Sequence, residues 1–189
     1  MIIEDDGMES IMLIGGYVDV EVTAEEIDRA RRIGTMLNNF NRKHGIAEQR
    51  GRNRDRSEEE GRHYTNEVGL IAAAKFFDVP VPERTIGKFE TALIHGCRIY
   101  TTDRLWDDGI LCGAKEPKDR VIIKCHWPEA AADYVRLQLW CRGRDVVKPE
   151  NIWAGAKWRD GGACYRFKRG FRIDALPDAL GIPVPERAR

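Results

Sequence analysis

The chain has 189 residues, 42% of them hydrophobic, and 31 Lys and Arg are balanced by 31 Asp and Glu. That length suits one domain with a real core, and global charge points to neither nucleic acid nor a basic partner. No apolar run approaches the ~18 residues of a membrane helix and the acidic start does not match a secretory signal, so a reduced cytoplasmic setting is expected.

Charge is nevertheless unevenly spread. Nine acids and no Lys or Arg precede Arg29, whereas residues 157–172 hold Lys157, Arg159, Arg166, Lys168, Arg169 and Arg172 against the single acid Asp160. Such a segment makes a local anion-binding surface on a neutral protein, or else an ordinary solvated face. The five cysteines (Cys97, Cys112, Cys125, Cys141, Cys164) are widely spaced and contain no CxxC. A paired-knuckle zinc site and a disulfide scaffold are therefore not expected, and Cys112 and Cys125 read as small buried hydrophobes.

In chain order, residues 1–16 form an acidic, partly flexible N-terminus, 17–180 a single domain and 181–189 a tail. Tyr17-Val18-Asp19-Val20-Glu21-Val22 alternates with period 2 and predicts a strand. T-A-E-E from Thr23 to Glu26 is a capping box; it opens a helix that runs to about Lys43, with Ile27, Ala30, Ile33, Leu37 and Phe40 at helical spacing and Gly45 as its stop. Residues 48–62 are charged and aperiodic, a loop whose Arg50, Arg52, Arg54 and Arg56 either meet phosphates or stay solvated. A second helix is predicted from Tyr64 to Phe77, ended by Asp78-Val79-Pro80-Val81-Pro82. Glu67 in that helix lies near its buried face, where it needs a partner; the alternative is a solvent-facing first-turn acid that suits the helix dipole.

Cys97 to Thr101 predicts a strand. Residues 109–113 and 120–125 then read as a hairpin about the polar turn Ala114-Lys115-Glu116-Pro117-Lys118. Folded antiparallel about Glu116, it sets Asp108 opposite Lys124 and Ile110 opposite Ile122, all on one face. His126 shares the parity of Lys124, as a site neighbour or as a structural histidine at a strand end. Strands follow at Asp133–Arg142, Ile152–Trp158 and within Tyr165–Ile173, and a short turn spans residues 175–180. The five tryptophans read as core or rim packing rather than base-stacking platforms. Two helices followed by a run of strands predict an α+β fold with a mixed or mainly antiparallel sheet.

This order of elements resembles the PD-(D/E)XK nuclease family, in particular its small bacteriophage members. The motifs that carry the resemblance are T-N-E-V-G-L-I-A-A-A-K at 65–75, W-D-D-G-I-L at 106–111, V-I-I-K at 121–124, A-D-Y-V-R-L-Q-L at 132–139 and I-W-A-G-A at 152–156. The resemblance implies a restriction-endonuclease-like fold, a central mixed β-sheet flanked by helices, in the cytoplasm of a bacterial host if the chain is phage-encoded. It also implies Mg²⁺- or Mn²⁺-dependent hydrolysis of DNA phosphodiesters. Glu67 and Asp108 would hold the metal, and Lys124 would orient the attacking water and offset developing negative charge. Arg52, Arg54, Arg166, Lys168 and Arg169 would contact nucleic acid. The chain departs from the pattern at Ile122, where the family has an acid or Gln two residues before the lysine. Two other readings stand beside the nuclease: a non-catalytic nuclease-fold module that binds nucleic acid or a protein partner, and a plain α+β protein in which Asp108 and Lys124 form a cross-strand ion pair. The oligomeric state, a dimer included, stays open.

Overall fold

The computed structural model describes residues 16–44, 56–84, 92–103, 109–128, 133–157 and 161–182. They build an α+β architecture of a mixed six-stranded sheet with two long helices on one face and a three-stranded sheet on the other. The helices are α1 (Ala24–Lys43) and α2 (Arg56–Phe76). The larger sheet contains β1 (Val18–Glu21), β2 (Leu93–Ile94), β3 (Cys97–Thr102), β5 (Val121–His126), β6 (Tyr134–Arg142) and β9 (Phe171–Arg172). The smaller one contains β4 (Ile110–Gly113), β7 (Ile152–Lys157) and β8 (Ala163–Phe167). Two short helices, α3 (Gly143–Val146) and α4 (Leu176–Leu180), complete the fold.

The predicted start of α1 is realised in full. Thr23 Oγ1 accepts from Glu26 N at 3.2 Å, and Glu26 Oε2 accepts from Thr23 N at 2.8 Å. Two orphan donors of the first turn are thus satisfied reciprocally. The buried stripe of α1 is Ala30, Gly34 and Asn38, with the predicted Ile27, Ile33, Leu37 and Phe40 flanking it half-buried. The reason is proximity to α2: a Cβ on Gly34 would lie 2.7 Å from the backbone N of Tyr64. Bulky residues cannot occupy that seam, so they pack beside it.

α2 ends before its prolines act. Asp78 takes the left-handed conformation (φ 52°), Val79 N donates to Ala74 O and Asp78 N donates to Lys75 O. That is the paired closure usually given to glycine, and Asp is among the few other residues that tolerate it. At Gly69 the helix presses on β3: a Cβ there would lie 1.8 Å from Thr101 Oγ1.

Strand order in the larger sheet is β1-β6-β5-β3-β2, with β9 also on β6; only β3 and β5 run parallel. β1 takes Tyr134 to Leu137 and β9 takes Leu139 and Trp140, so the two lie end to end on the same edge of β6. β5 is buried on both faces. Its odd residues Val121, Ile123 and Cys125 join the helix-side core with Val68, Ile71, Ala72 and Phe76, and Ile122 joins a second core with Ile110, Cys112, Leu139, Cys141 and Val146. Cys112 and Cys125 are buried as expected, and burial pushes both thiols up to about 12.

The expected β4–β5 hairpin forms its turn but not its ladder. Glu116 N donates to Gly113 O and Arg120 N to Pro117 O, and the Glu116 carboxylate is held by Arg98 of β3 at 2.6 Å. However, both edges of β5 are taken, by β3 and β6, so β4 pairs with β8 in the smaller sheet. Ile110 and Ile122 do share one core, but across two stacked sheets instead of side by side. The chain from β3 to its parallel neighbour β5 crosses over through β4, where such connections more often use a helix.

The period-2 alternation of β6 breaks at one point. Lys124 pairs with Leu139 but Cys125 with Leu137, so Gln138 is an extra residue in the ladder. The bulge flips parity: Val135 and Leu137 face the helices before it, and Trp140 does after it, while Leu139 and Cys141 turn to the second core.

Candidate functional site

Glu67 is 2% exposed on α2. Its Oε1 accepts from Arg84 Nε at 2.7 Å and also from Arg84 Nη2, a bidentate guanidinium clasp. Arg84 reaches it from the extended segment that follows the two prolines. Burial raises the carboxyl above its usual range; the hydrogen bonds and charge of Arg84, and then the charge of Arg29, pull the other way. Of the two sequence readings, the buried acid is the one realised, and its partner is a cation of the same chain.

Lys124 is 4% exposed on β5. It is laterally paired with Tyr100 and Leu139, both on the side of the second core, so side-chain alternation turns it away from α2. Glu67 belongs to the helix that covers the opposite face of this sheet, and the fold does not bring the two to a common face. Asp108 lies outside the described residues. Ile122, at the position where the family pattern has a ligand, is fully buried within the second core, where an unpaired carboxylate would be costly.

His126 shares the face of Lys124 as expected, and is 5% exposed. Its Nε2 has no hydrogen-bond partner among the described residues. Burial lowers its pKa first; Arg136 and Lys124 lower it further, and Asp103 opposes them. Arg136 is itself fixed by Asp19, with Nε and Nη2 donating to Oδ1 and Oδ2 at 2.8 and 2.9 Å, and lies over the Tyr17 ring at 4.1 Å.

Among the described residues no group of three or more His, Cys, Asp and Glu is placed to hold a metal ion. Glu67, the described member of the implied ligand pair, already shares its Oε1 between two guanidinium donors. No described residue joins Glu67 as a candidate ligand for the divalent cation that the resemblance implies.

The basic residues give a different picture. Arg52 and Arg54 lie outside the described residues, whereas Arg166 and Lys168 sit on or beside β8 and Arg169 follows, exposed. Tyr165 and Phe167 of β8 turn into the second core, so Arg166 between them points outward. Trp153 on β7 points the same way, since its neighbour Ile152 is registered with Tyr165. The two meet: Arg166 Cζ stands 5.1 Å from the Trp153 ring centroid. Gly109 makes room for this, because a Cβ there would lie 2.7 Å from Arg166 Cγ. Trp127 and Trp140 are buried as expected, but Trp153 is 38% exposed on a strand whose residues are nearly all exposed. Sequence reasoning passed over it; its position next to the basic segment was the available signal.

Compared with family models, curated proteins and solved structures, the chain matches none of them.

Proposed function

We propose that this protein is a nucleic-acid-binding module, with DNA as the expected ligand, that holds its ligand through the outer face of the β7–β8 sheet and does not cleave it by a metal-dependent reaction. The observation that carries the reading is the exposed Trp153 with the Arg166 guanidinium over its ring, set in a predominantly basic stretch. Residues 152–157 and 161–172 contain Lys157, Arg166, Lys168, Arg169 and Arg172 and no Asp or Glu. Cations of this kind neutralise phosphates, and an aromatic face accepts a base. A restriction-endonuclease-like frame is part of the proposal; the order of two helices, the D-Y-V strand and the I-W-A-G strand supports it. Ile122 in the second core and Glu67 clasped by Arg84 weigh against the cutting form of that frame.

The test is binding of labelled DNA across a salt series, with parallel incubations in Mg²⁺ and Mn²⁺ followed for cleavage. Binding should weaken with salt, with a log–log slope of about −3 if four cations engage, and no metal-dependent product should form. Cleavage in Mg²⁺ that disappears in Asp108→Asn would restore the nuclease, and salt-insensitive or absent binding would point to a protein partner.

A further inference from the structure

We infer that this surface selects single-stranded over duplex nucleic acid, because Trp153 and Arg166 form a stacking platform that only an unpaired base can reach. The inference rests on the nucleic-acid reading above and narrows it to a substrate class.

The platform stands at a sheet edge. β7 pairs only with β8 among the described strands, and its register with β8 slips between Ile152 and Lys157, so the strand bows away from its neighbour. The residues that follow Trp153 are Ala154, Gly155 and Ala156. Gly155 has φ +79°, and a Cβ built there meets nothing within 4 Å. The tryptophan is therefore followed along the strand by residues too small to cover it. The Arg166 guanidinium held near its ring is pre-set to extend the same π-surface, and its aliphatic stem is seated over Gly109.

Duplex nucleic acid presents phosphates and groove edges, with its base faces occupied by neighbouring bases. Among the described residues, this sheet edge offers no wedge with which to unstack them. A single strand offers base faces directly, and stacking on an aromatic side chain tolerates any base. The charges fit the same ligand. Lys157 ends the strand that bears Trp153, and Lys168 and Arg169 follow the strand that bears Arg166. Phosphates of a bound strand would thus meet cations, in a stretch whose single acid is Asp160.

The experiment is fluorescence anisotropy of the full-length protein with a labelled single-stranded DNA, the single-stranded RNA of the same sequence and the blunt duplex, at one fixed moderate salt concentration. Single strands of either sugar should bind at least about ten-fold tighter than the duplex. Trp153→Ala should lose about ten-fold or more on the single strands and little on the duplex, and Trp153→Phe should keep most of the affinity. Lys168→Ala with Arg169→Ala should weaken all three ligands to a similar degree. Trp153 is exposed, so both substitutions leave the core intact, and unchanged thermal midpoints will verify this. Equal affinity for duplex and single strand, or a neutral Trp153→Ala, overturns the inference while leaving nucleic-acid binding standing. No binding to any of the three overturns both.

Discussion

Glu67→Gln separates the ion-pair account of this residue from a metal-ligand account. Gln keeps the size of the side chain and a carbonyl acceptor for Arg84, but it removes the charge. In the wild type, burial raises the carboxyl above its ordinary value of 4.5 despite Arg84 and Arg29. The folded protein thus holds the proton more tightly than the unfolded chain does. The resulting stability is fully present below the unfolded value and is lost as pH rises through the folded one. Gln does not titrate, so the difference between variant and wild type should move in the variant's favour between pH 4 and pH 8. At pH 8 two terms oppose each other. The variant no longer desolvates a carboxylate, but it gives up a charge-assisted bond worth about 1.5–3 kcal/mol. Arg84 is 22% exposed and recovers part of that loss from water. Because burial outweighs the partners in setting the direction of that shift, Glu67→Gln should lose little or no stability at pH 8. Glu67→Ala, which removes the acceptor and leaves a void, should lose about 2–4 kcal/mol. Denaturant unfolding at pH 4, 6 and 8, with and without millimolar Mg²⁺, reads all of this. A loss of more than about 2 kcal/mol in Glu67→Gln at pH 8 that shrinks toward pH 4 would refute the reasoning, since the pair would then favour the charged form. Mg²⁺ stabilisation of the wild type that vanishes in Glu67→Gln would make Glu67 a ligand.

Two further outcomes follow from packing and protonation. Gly69→Ala gains about 1 kcal/mol of helix propensity, but its methyl lands 1.8 Å from Thr101 Oγ1 and 2.9 Å from Thr101 Cβ and Cγ2. A net loss of about 2 kcal/mol is expected, with partial recovery in the Thr101→Gly double variant; strictly additive losses in the unfolding cycle would contradict the contact. For His126 the folded pKa is depressed, so its stability contribution is present above 6.5 and is lost as pH falls toward the folded value. Removing the titrating ring with His126→Gln should flatten the fall in urea midpoint just below pH 6.5, and an unchanged slope would show that other groups govern it.

Local chemistry was the legible part of this sequence. The capping box at Thr23 and Glu26, the period-2 run in β1 and the Val121–Ile122–Ile123 strand each depend on neighbours within a few residues, and each appears where expected. What was hidden depends on distant partners. Nothing near residue 110 reveals that β4 pairs with residues 164–167, because that follows from β3 and β6 occupying both edges of β5. Likewise, the alternation of β6 reads as unbroken until the ladder with β5 inserts Gln138. The candidate site suffered from the same limit. Glu67 was legible as an acid in need of a partner, but the partner, Arg84, sits beyond a double-proline segment that gives no hint of its direction. Trp153 was visible as a tryptophan near cations; its exposure depends on β7 being an edge.

The outer edge of β6 is closed by strands from opposite ends of the chain, β1 covering one half and β9 the other, joined where Ile173 N donates to Gly16 O at 3.3 Å. During synthesis β1 is made first, yet it has nothing to pair with until β6 emerges, and β9 comes later still. The chain therefore passes through a stage in which its helices, β3 and β5 can already be assembled while half of one sheet edge offers bare N–H and C=O groups. An edge in that condition is a template for a second copy of the chain. The brief β9 pairing at Leu139 and Trp140 is thus what ends that exposure, and the C-terminal part of the domain acts as a seal.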